Sequence, residues 1–271
     1  MKKRVITAVV LLPLLLAIVL LLPKIVTAIL FGAMSAIGAY ELLKGTGLVK
    51  QTRLAAYAMA MAFFVPLWSG MQMAYSLALL GVFVFFCVLF AELLLFHDEV
   101  NFEAIAVAFA AGIVLPFCLS SLVRLHSWPS GRMYILLPFV VAFMSDTGAY
   151  FTGLAFGKHK LAPVISPKKT VEGMFGGMLG AVLGVVIYCF ALKWLYAFEI
   201  RYLFIPLYGI LGSAAAVFGD LCFSAVKRQT GIKDYGNLIP GHGGILDRFD
   251  SMIVVAPLVE LLMIFVPLVM K

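Results

Sequence analysis

Asp220, Asp247 and Asp250 lie in one run of sequence with Ser224, Lys227, Arg228, Lys233, Asp234 and Arg248, in a chain where charged residues make up only 12% of the total. Carboxylates gathered without cysteine, and with the single nearby His242, are hard oxygen ligands suited to Mg²⁺. Asp247 and Asp250 stand at i and i+3, with Ser251 at i+4, so one helical face presents all three. If the preceding helix runs to Lys227, then Asp220, Ser224, Lys227 and Arg228 fall at i, i+4, i+7 and i+8, again on one face. A helix end snorkelling towards water explains two cations, but it does not explain Asp220. The chemistry these types support is metal-assisted reaction of a phosphorylated, anionic substrate.

Two further stretches add to it. Asp146, in "FMSDTGAYFTGLAFG", lies roughly 16 Å inside its apolar run at 1.5 Å per residue. An Asp at a helix centre costs about 2.5–3.5 kcal/mol on insertion scales, so it reads as functional, or else as one half of a polar pair with Ser145, Thr147 or a neighbouring helix. Gly148, Gly153 and Gly157 indicate either close helix packing or an interrupted helix that admits water. Lys168, Lys169 and Thr170, in "SPKKTVEGMFGG", could serve the same phosphate site. In "TGIKDYGNLIPGHGG" the Gly, Asn and Pro content excludes a regular helix. Gly241, Gly243 and Gly244 are expected to leave N–H groups open to an anion where "ILDRFDS" begins a helix. No Walker A pattern is present.

These groups must be positioned by membrane helices. The 271 residues are 64% hydrophobic with mean hydropathy +1.10, far from soluble domains with about 25% charge. The fold class is therefore an all-α, polytopic integral membrane protein. Runs able to cross about 30 Å of hydrocarbon number about nine: 5–22, 25–43, 54–70, 73–96, 104–123, 133–153, 172–195, 202–226 and 251–270. The third is short and contains Pro66, so eight is the alternative. Of the 20 Lys and Arg residues, a cytoplasmic N-terminus puts fourteen inside: Lys2, Lys3, Arg4, Lys44, Lys50, Arg53, Lys158, Lys160, Lys168, Lys169, Lys227, Arg228, Lys233 and Arg248. The positive-inside rule thus favours N-in, and nine spans place Lys271 outside.

Lys2-Lys3-Arg4 also resembles the start of a signal peptide, but the run to Leu22 has no A-x-A-like site and exceeds a usual h-region, which favours an uncleaved helix. The net charge of +7 reflects this topology signal and attraction to anionic headgroups, with a remainder for an anionic substrate. Cys87, Cys118, Cys189 and Cys222 lie in apolar spans without CxxC spacing and read as small hydrophobes. Loops of about ten residues leave no room for a soluble domain, and no repeat is evident. Glu41 and Glu92, near helix ends, and the acidic loop of Asp98, Glu99 and Glu103 read as solvated surface without partners. The chain accordingly divides into scaffold or dimerisation helices, 1–130, and a catalytic region, 131–271, with cytoplasmic loops 157–171 and 227–250 and a polar cavity at its cytoplasmic side.

The run S-x-x-K-R-x-x-x-x-K-D-x-x-x-x-x-P-G-H-G-G-x-x-D-R-x-D, from Ser224 to Asp250, resembles the signature of the phosphatidate cytidylyltransferases, the CDP-diacylglycerol synthases. Every fixed position is present, Pro240, Gly241 and His242 included. The resemblance extends to "SDTGAYFTG" and "SPKKTVEG", while the first five spans are similar only in hydropathy and length. It implies CTP and phosphatidate as substrates, CDP-diacylglycerol and pyrophosphate as products, Mg²⁺ and a second cation as cofactors, and a bacterial inner-membrane enzyme facing the cytoplasm, with no nucleic acid partner.

On that reading Asp220 and Asp247 are the first Mg²⁺ ligands, with Asp250 and Asp146 serving a second cation or supporting the first. Lys227, Arg228, Lys233 and Arg248 bind phosphates, and Ser224 and Thr170 orient a phosphate oxygen or water. His242 protonates the leaving group, holds a phosphate or makes a structural hydrogen bond in its turn. A CTP-dependent polyprenol or lipid-alcohol kinase, releasing CDP, is the nearer rival, and an ion-coupled transporter the more distant one. Apolar helices rich in Gly, Ala and Phe are also compatible with a homodimer.

Overall fold

The structure, a computed structural model, describes residues 13–70, 75–239 and 243–270. The basic cluster Lys2-Lys3-Arg4, the beginnings of the first and fourth expected spans, Pro240, Gly241, His242 and Lys271 lie outside the described residues. Among the described residues helix dominates, and six helices are long and apolar enough to cross a membrane: Lys24–Gly45, Ser76–Leu95, Phe102–Ser127, Gly131–Phe156, Val171–Tyr196 and Tyr202–Gln229. The protein is therefore a mostly helical integral membrane protein. Of the other expected spans, the first is seen only over 13–21 (α1). The third is the 18-residue α3, Thr52–Ser69, with Pro66 inside it, and the ninth is the 14-residue α13, Met252–Phe265.

The chain forms two compact units, Met1–Pro129 with Lys227–Phe249, and Ser130–Val226 with Asp250–Lys271. In the first unit α2, Lys24–Tyr40, continues into a π-helical turn, Glu41–Gly45. It packs on α3, on which α4 (Tyr75–Leu95) also packs, and on a segmented helix. That segment runs as α5 (Phe102–Phe109), a second π turn (Ala110–Val114), α6 (Leu115–Leu119) and α7 (Ser121–Ser127). Small residues on α3, Ala55, Ala58 and Ala62, are buried among Leu54, Phe85, Leu89, Ile105 and Ala111 in one core. Asn101 caps α5 by accepting from Ala104 N–H at 2.8 Å, which satisfies a donor that the helix start leaves open.

In the second unit α8 (Gly131–Tyr134) leads into α9, Leu136–Phe156, and α9 lies along α10, Val171–Tyr196. Their approach requires glycine. A Cβ at Gly148 would strike the Gly176 carbonyl and lie 3.1 Å from the Gly180 Cα. Of the two readings of the glycines near Asp146, close packing is therefore correct, since α9 runs unbroken past Gly148 and Gly153 and ends only at Gly157.

Between α9 and α10 the expected loop is a small antiparallel hairpin, β1 (Lys160–Ala162) with β2 (Ser166–Thr170). Thr170 then caps α10, accepting from Gly173 N–H at 3.1 Å. Beyond α10, β3 (Glu199–Ile200) pairs antiparallel with β4 (Val269–Met270). Helix α11, Ile205–Gln229, contributes residues up to Val226 to this unit, and it contacts the chain before α13, because a Cβ on Gly219 would lie 2.7 Å from the Asp250 carbonyl oxygen.

Candidate functional site

In the first unit the site grows from the end of α11. The helix stops at Gly231, which adopts φ +72°, a conformation glycine enters without steric cost. Gly231 N–H bonds Arg228 C=O and Ile232 N–H bonds Lys227 C=O, the paired bonds of a Schellman end. The chain returns through an Ile239–Gly243 bridge to the single-turn α12, Leu246–Phe249.

Asp247 is the centre of this return. Its Oδ1 takes an ion pair from Lys227 Nζ at 2.8 Å, and its Oδ2 accepts Tyr235 N–H at 2.8 Å and Gly244 N–H at 3.0 Å. Lys227 Nζ also lies 5.3 Å from the centre of the Tyr235 ring. Both members of the pair are buried, and a buried ion pair is sustained only when its remaining hydrogen-bonding capacity is met. Here the two backbone donors meet it.

The expectation of an open N–H group at this helix start is corrected for Gly244. Gly244 N–H belongs to Asp247, while Ile245 and Leu246 N–H donate to Glu41 Oε1 and Oε2 at 3.0 and 2.8 Å. Two carboxylates of the chain itself occupy the place where a foreign anion was expected. Glu41 is corrected with it, being 5% exposed rather than solvated.

Glu92, expected on the surface, is likewise buried. Arg53 Nε holds it at 2.9 Å and the Tyr57 hydroxyl donates to it at 3.3 Å. Glu99 has a partner too, since Arg53 reaches it at 3.3 Å, and Asp98 pairs with His97 at 3.3 Å. Sequence reasoning missed these because it judged each carboxylate by its distance from a helix end. An Arg and a Tyr spaced at i and i+4 on α3 were the available signal.

In the second unit the arrangement is more open. A cavity of about 360 Å³ is lined by Asp146, Tyr150, Leu154, Lys168, Lys169 and Thr170 among others. Asp146 is exposed, within electrostatic reach of Lys169 and Asp220. Of the partners considered for it, Ser145 and Thr147 are engaged elsewhere: Ser145 bonds Ser213 at 2.7 Å and Thr147 donates to Phe143 C=O. The hairpin swings Lys169 Nζ to 2.6 Å from Asp220 Oδ2, and Ser224 donates to Asp220 Oδ1 at 3.0 Å. The helical stripe is thus realised for Asp220 and Ser224.

The hairpin base is fastened by a clasp the sequence reading did not anticipate. The Glu172 carboxylate accepts Lys158 N–H and His159 N–H, and meets His159 Nδ1 at 2.6 Å. Asp250 accepts Ser251 N–H at 2.7 Å. Arg228, Lys233 and Arg248 are exposed.

Among the described residues no three His, Cys, Asp or Glu side chains form a ready metal cage. The donor set nevertheless fits Mg²⁺. This ion keeps several waters and takes one or two carboxylates plus substrate phosphates, and Asp146 with Asp220 supplies two hard oxygen donors beside the cavity. Lys169 presently supplies the positive charge at Asp220.

A family model described as "Cytidylyltransferase family" matches residues 2–266. A phosphatidate cytidylyltransferase of Pseudomonas aeruginosa is 37% identical over 265 residues, covering 95% of this chain and 94% of the relative. One from Bacillus subtilis is 32% identical over 267 residues, 97% of each chain. One from Staphylococcus haemolyticus is 45% identical over 134 residues, 49% of this chain and 50% of the relative.

Proposed function

The chain belongs to the cytidylyltransferase family, and from that premise we propose that it transfers the CMP moiety of CTP to phosphatidate, giving CDP-diacylglycerol and pyrophosphate. The observation that carries this reading on the structural side is the cavity of the second unit. There Lys168 and Lys169 stand beside Asp146 in a wall of Tyr150, Leu154, Leu161 and Met174. Cations next to apolar surface are what a lipid phosphate with acyl chains demands.

A phosphate oxygen of phosphatidate attacks the α-phosphorus of CTP in line. The new P–O bond forms as the bond to the bridging oxygen of pyrophosphate breaks. A phosphomonoester with second pKa about 6 is largely dianionic at neutral pH, so the nucleophile needs no general base. The protein's tasks are then to position two anions and to neutralise the departing charge.

Lys168 and Lys169 hold phosphate in the second unit, with Thr170 fixing the hairpin end that carries them. Lys227, Arg228, Lys233 and Arg248 are the cations assigned to phosphates in the first. Asp220, with Asp146 and Asp250 in support, is the carboxylate proposed to hold Mg²⁺ in the second unit; in the first, Asp247 is proposed to act through Lys227, since Lys227 Nζ and the Tyr235 and Gly244 amides take its two oxygens. When bound, the ion supplies positive charge to the phosphoryl oxygens and the leaving group.

Nine spans with a cytoplasmic N-terminus and an active site facing the cytoplasm of a bacterial inner membrane complete the proposal. The excess of Lys and Arg in alternate loops supports it, and so does the cytosolic location that CTP requires.

Purified protein given short-chain phosphatidate, Mg²⁺ and α-³²P-CTP should move label into lipid. Asp220→Asn and Asp247→Asn should each cut that transfer by about 10²-fold or more, and EDTA should do the same in wild type. Label that stays in free CDP when a lipid alcohol is supplied would instead identify a CTP-dependent kinase.

A further inference from the structure

Glu41 takes no part in the chemistry just described, yet its carboxylate is the point on which the motif loop of the first unit rests. Each oxygen accepts one backbone N–H, Oε1 from Ile245 at 3.0 Å and Oε2 from Leu246 at 2.8 Å. These are the residues immediately before Asp247. The loop is shaped around that carboxylate, since a Cβ at either Gly236 or Gly244 would run into it. At the far end of the same π-helical turn, a Cβ at Gly45 would strike the Tyr235 carbonyl. The turn Glu41–Gly45 therefore cradles both strands of the loop, the one carrying Tyr235 and the one carrying Gly244 to Leu246.

Helix α12 has only four residues, too few to hold a helical conformation unaided. Its orientation must come from outside, and two hydrogen bonds to one buried carboxylate supply it. Such bonds to a charged acceptor are roughly twice as strong as neutral ones. Asp247 leaves this turn towards Lys227, Tyr235 N–H and Gly244 N–H, so its aim depends on where Leu246 is pinned.

We propose that Glu41 is a positioning residue for the transferase reaction: through the Ile245 and Leu246 amides it fixes the direction in which Asp247 and Lys227 are presented. This rests on the transferase reading above. A misplacement of about 1 Å from a remote change can cost on the order of 10²-fold in rate. The loss belongs in kcat, because both Glu41 oxygens are spent on backbone amides and the residue acts through them.

The experiment is a kinetic cycle on the full-length protein, with each variant's concentration corrected for the folded fraction by size exclusion. Glu41→Ala is expected to lower kcat by about 10- to 100-fold with KM for CTP and phosphatidate nearly unchanged, and Glu41→Gln, which keeps one acceptor oxygen, to recover part of it. Gly236→Ala supplies an independent route that does not delete Glu41. The new methyl displaces the end of a flexible side chain, so the fold is kept while the carboxylate is pushed off its amides.

Gly236→Ala should reproduce the kcat loss in wild type and cost nothing further in Glu41→Ala, because the group it displaces is then gone. Additive effects, a change confined to KM, or kcat in Glu41→Ala and Gly236→Ala within twofold of wild type would each overturn the proposal. Failure of wild type itself to label lipid would overturn the transferase reading instead, so the two failures are read from different samples.

Discussion

Two regions of this protein hold aspartate beside lysine, and they treat the pair in opposite ways. In the first unit Asp247 and Lys227 are buried, and three donors reach the carboxylate. In the second, Asp220 and Lys169 have side chains 34% and 24% exposed, and Asp146 nearby is open to a cavity. The first arrangement is a closed electrostatic unit whose orientation is set before any ligand arrives. The second keeps its charges where a phosphate or a hydrated cation could displace one for another. Burial with complete hydrogen bonding gives rigidity, and partial exposure gives exchangeability.

The sharpest way to break this contrast is to measure stability. Asp247→Asn leaves Lys227 buried without its counter-charge and should cost about 3–5 kcal/mol, read as a shift in denaturant-induced unfolding in detergent. Lys227→Met combined with Asp247→Leu should restore much of that loss, although the protein remains inactive. A single Asp247→Asn as stable as wild type would show that the pair is not closed at all.

Asp220→Asn and Asp146→Asn test the other half. Each should lower kcat/KM by about 10²–10³-fold, the scale for removing one preorganised electrostatic group, with unfolding unchanged. If either also unfolded early, the second unit would be as dependent on its charges as the first.

Much of this architecture is legible in the sequence, and the parts that are not share a cause. Hydropathy runs locate the helices because burial in lipid is a property of each segment alone. The Asp220–Ser224 contact follows from helical periodicity in the same way. The spacing from Asp250 singles out Asp247 as a candidate but does not reveal its three donors, since Tyr235 N–H and Gly244 N–H reach it only once the loop has folded back. Glu41 was the most deceptive residue. In "AYELLKG" it looks like a helix-end carboxylate facing water, and only the approach of Ile245 and Leu246, 204 and 205 residues away in the chain, turns it into a buried acceptor. The β1–β2 hairpin was missed because five residues containing two lysines and a proline carry little strand pattern.

A smaller effect sharpens the packing side of the comparison. Gly148→Val should push α9 from the Gly176 carbonyl and destabilise the protein by about 1–3 kcal/mol, the range for overpacking, again read by denaturant unfolding. The smallest effect expected is at Thr170, whose hydroxyl caps α10. Thr170→Val should cost about 1 kcal/mol, while any larger fall in activity would report the loosening of Lys168 and Lys169 on the adjoining strand.

The short ladder between β3 and β4 has a practical consequence for handling the protein. It ties residues 269–270 to the end of α10 remote from Thr170, and 26 residues of helix separate those ends by about 39 Å. A fluorophore or affinity handle joined beside β4 sits as far from Lys169 as that helix allows. Immobilisation by such a handle leaves the cavity facing free solution. With sealed vesicles the same handle is a sidedness gauge: a membrane-impermeant quencher that reaches it from one face reports the side on which residues 269–270 lie, and the proposed site predicts that CTP is used from the opposite face.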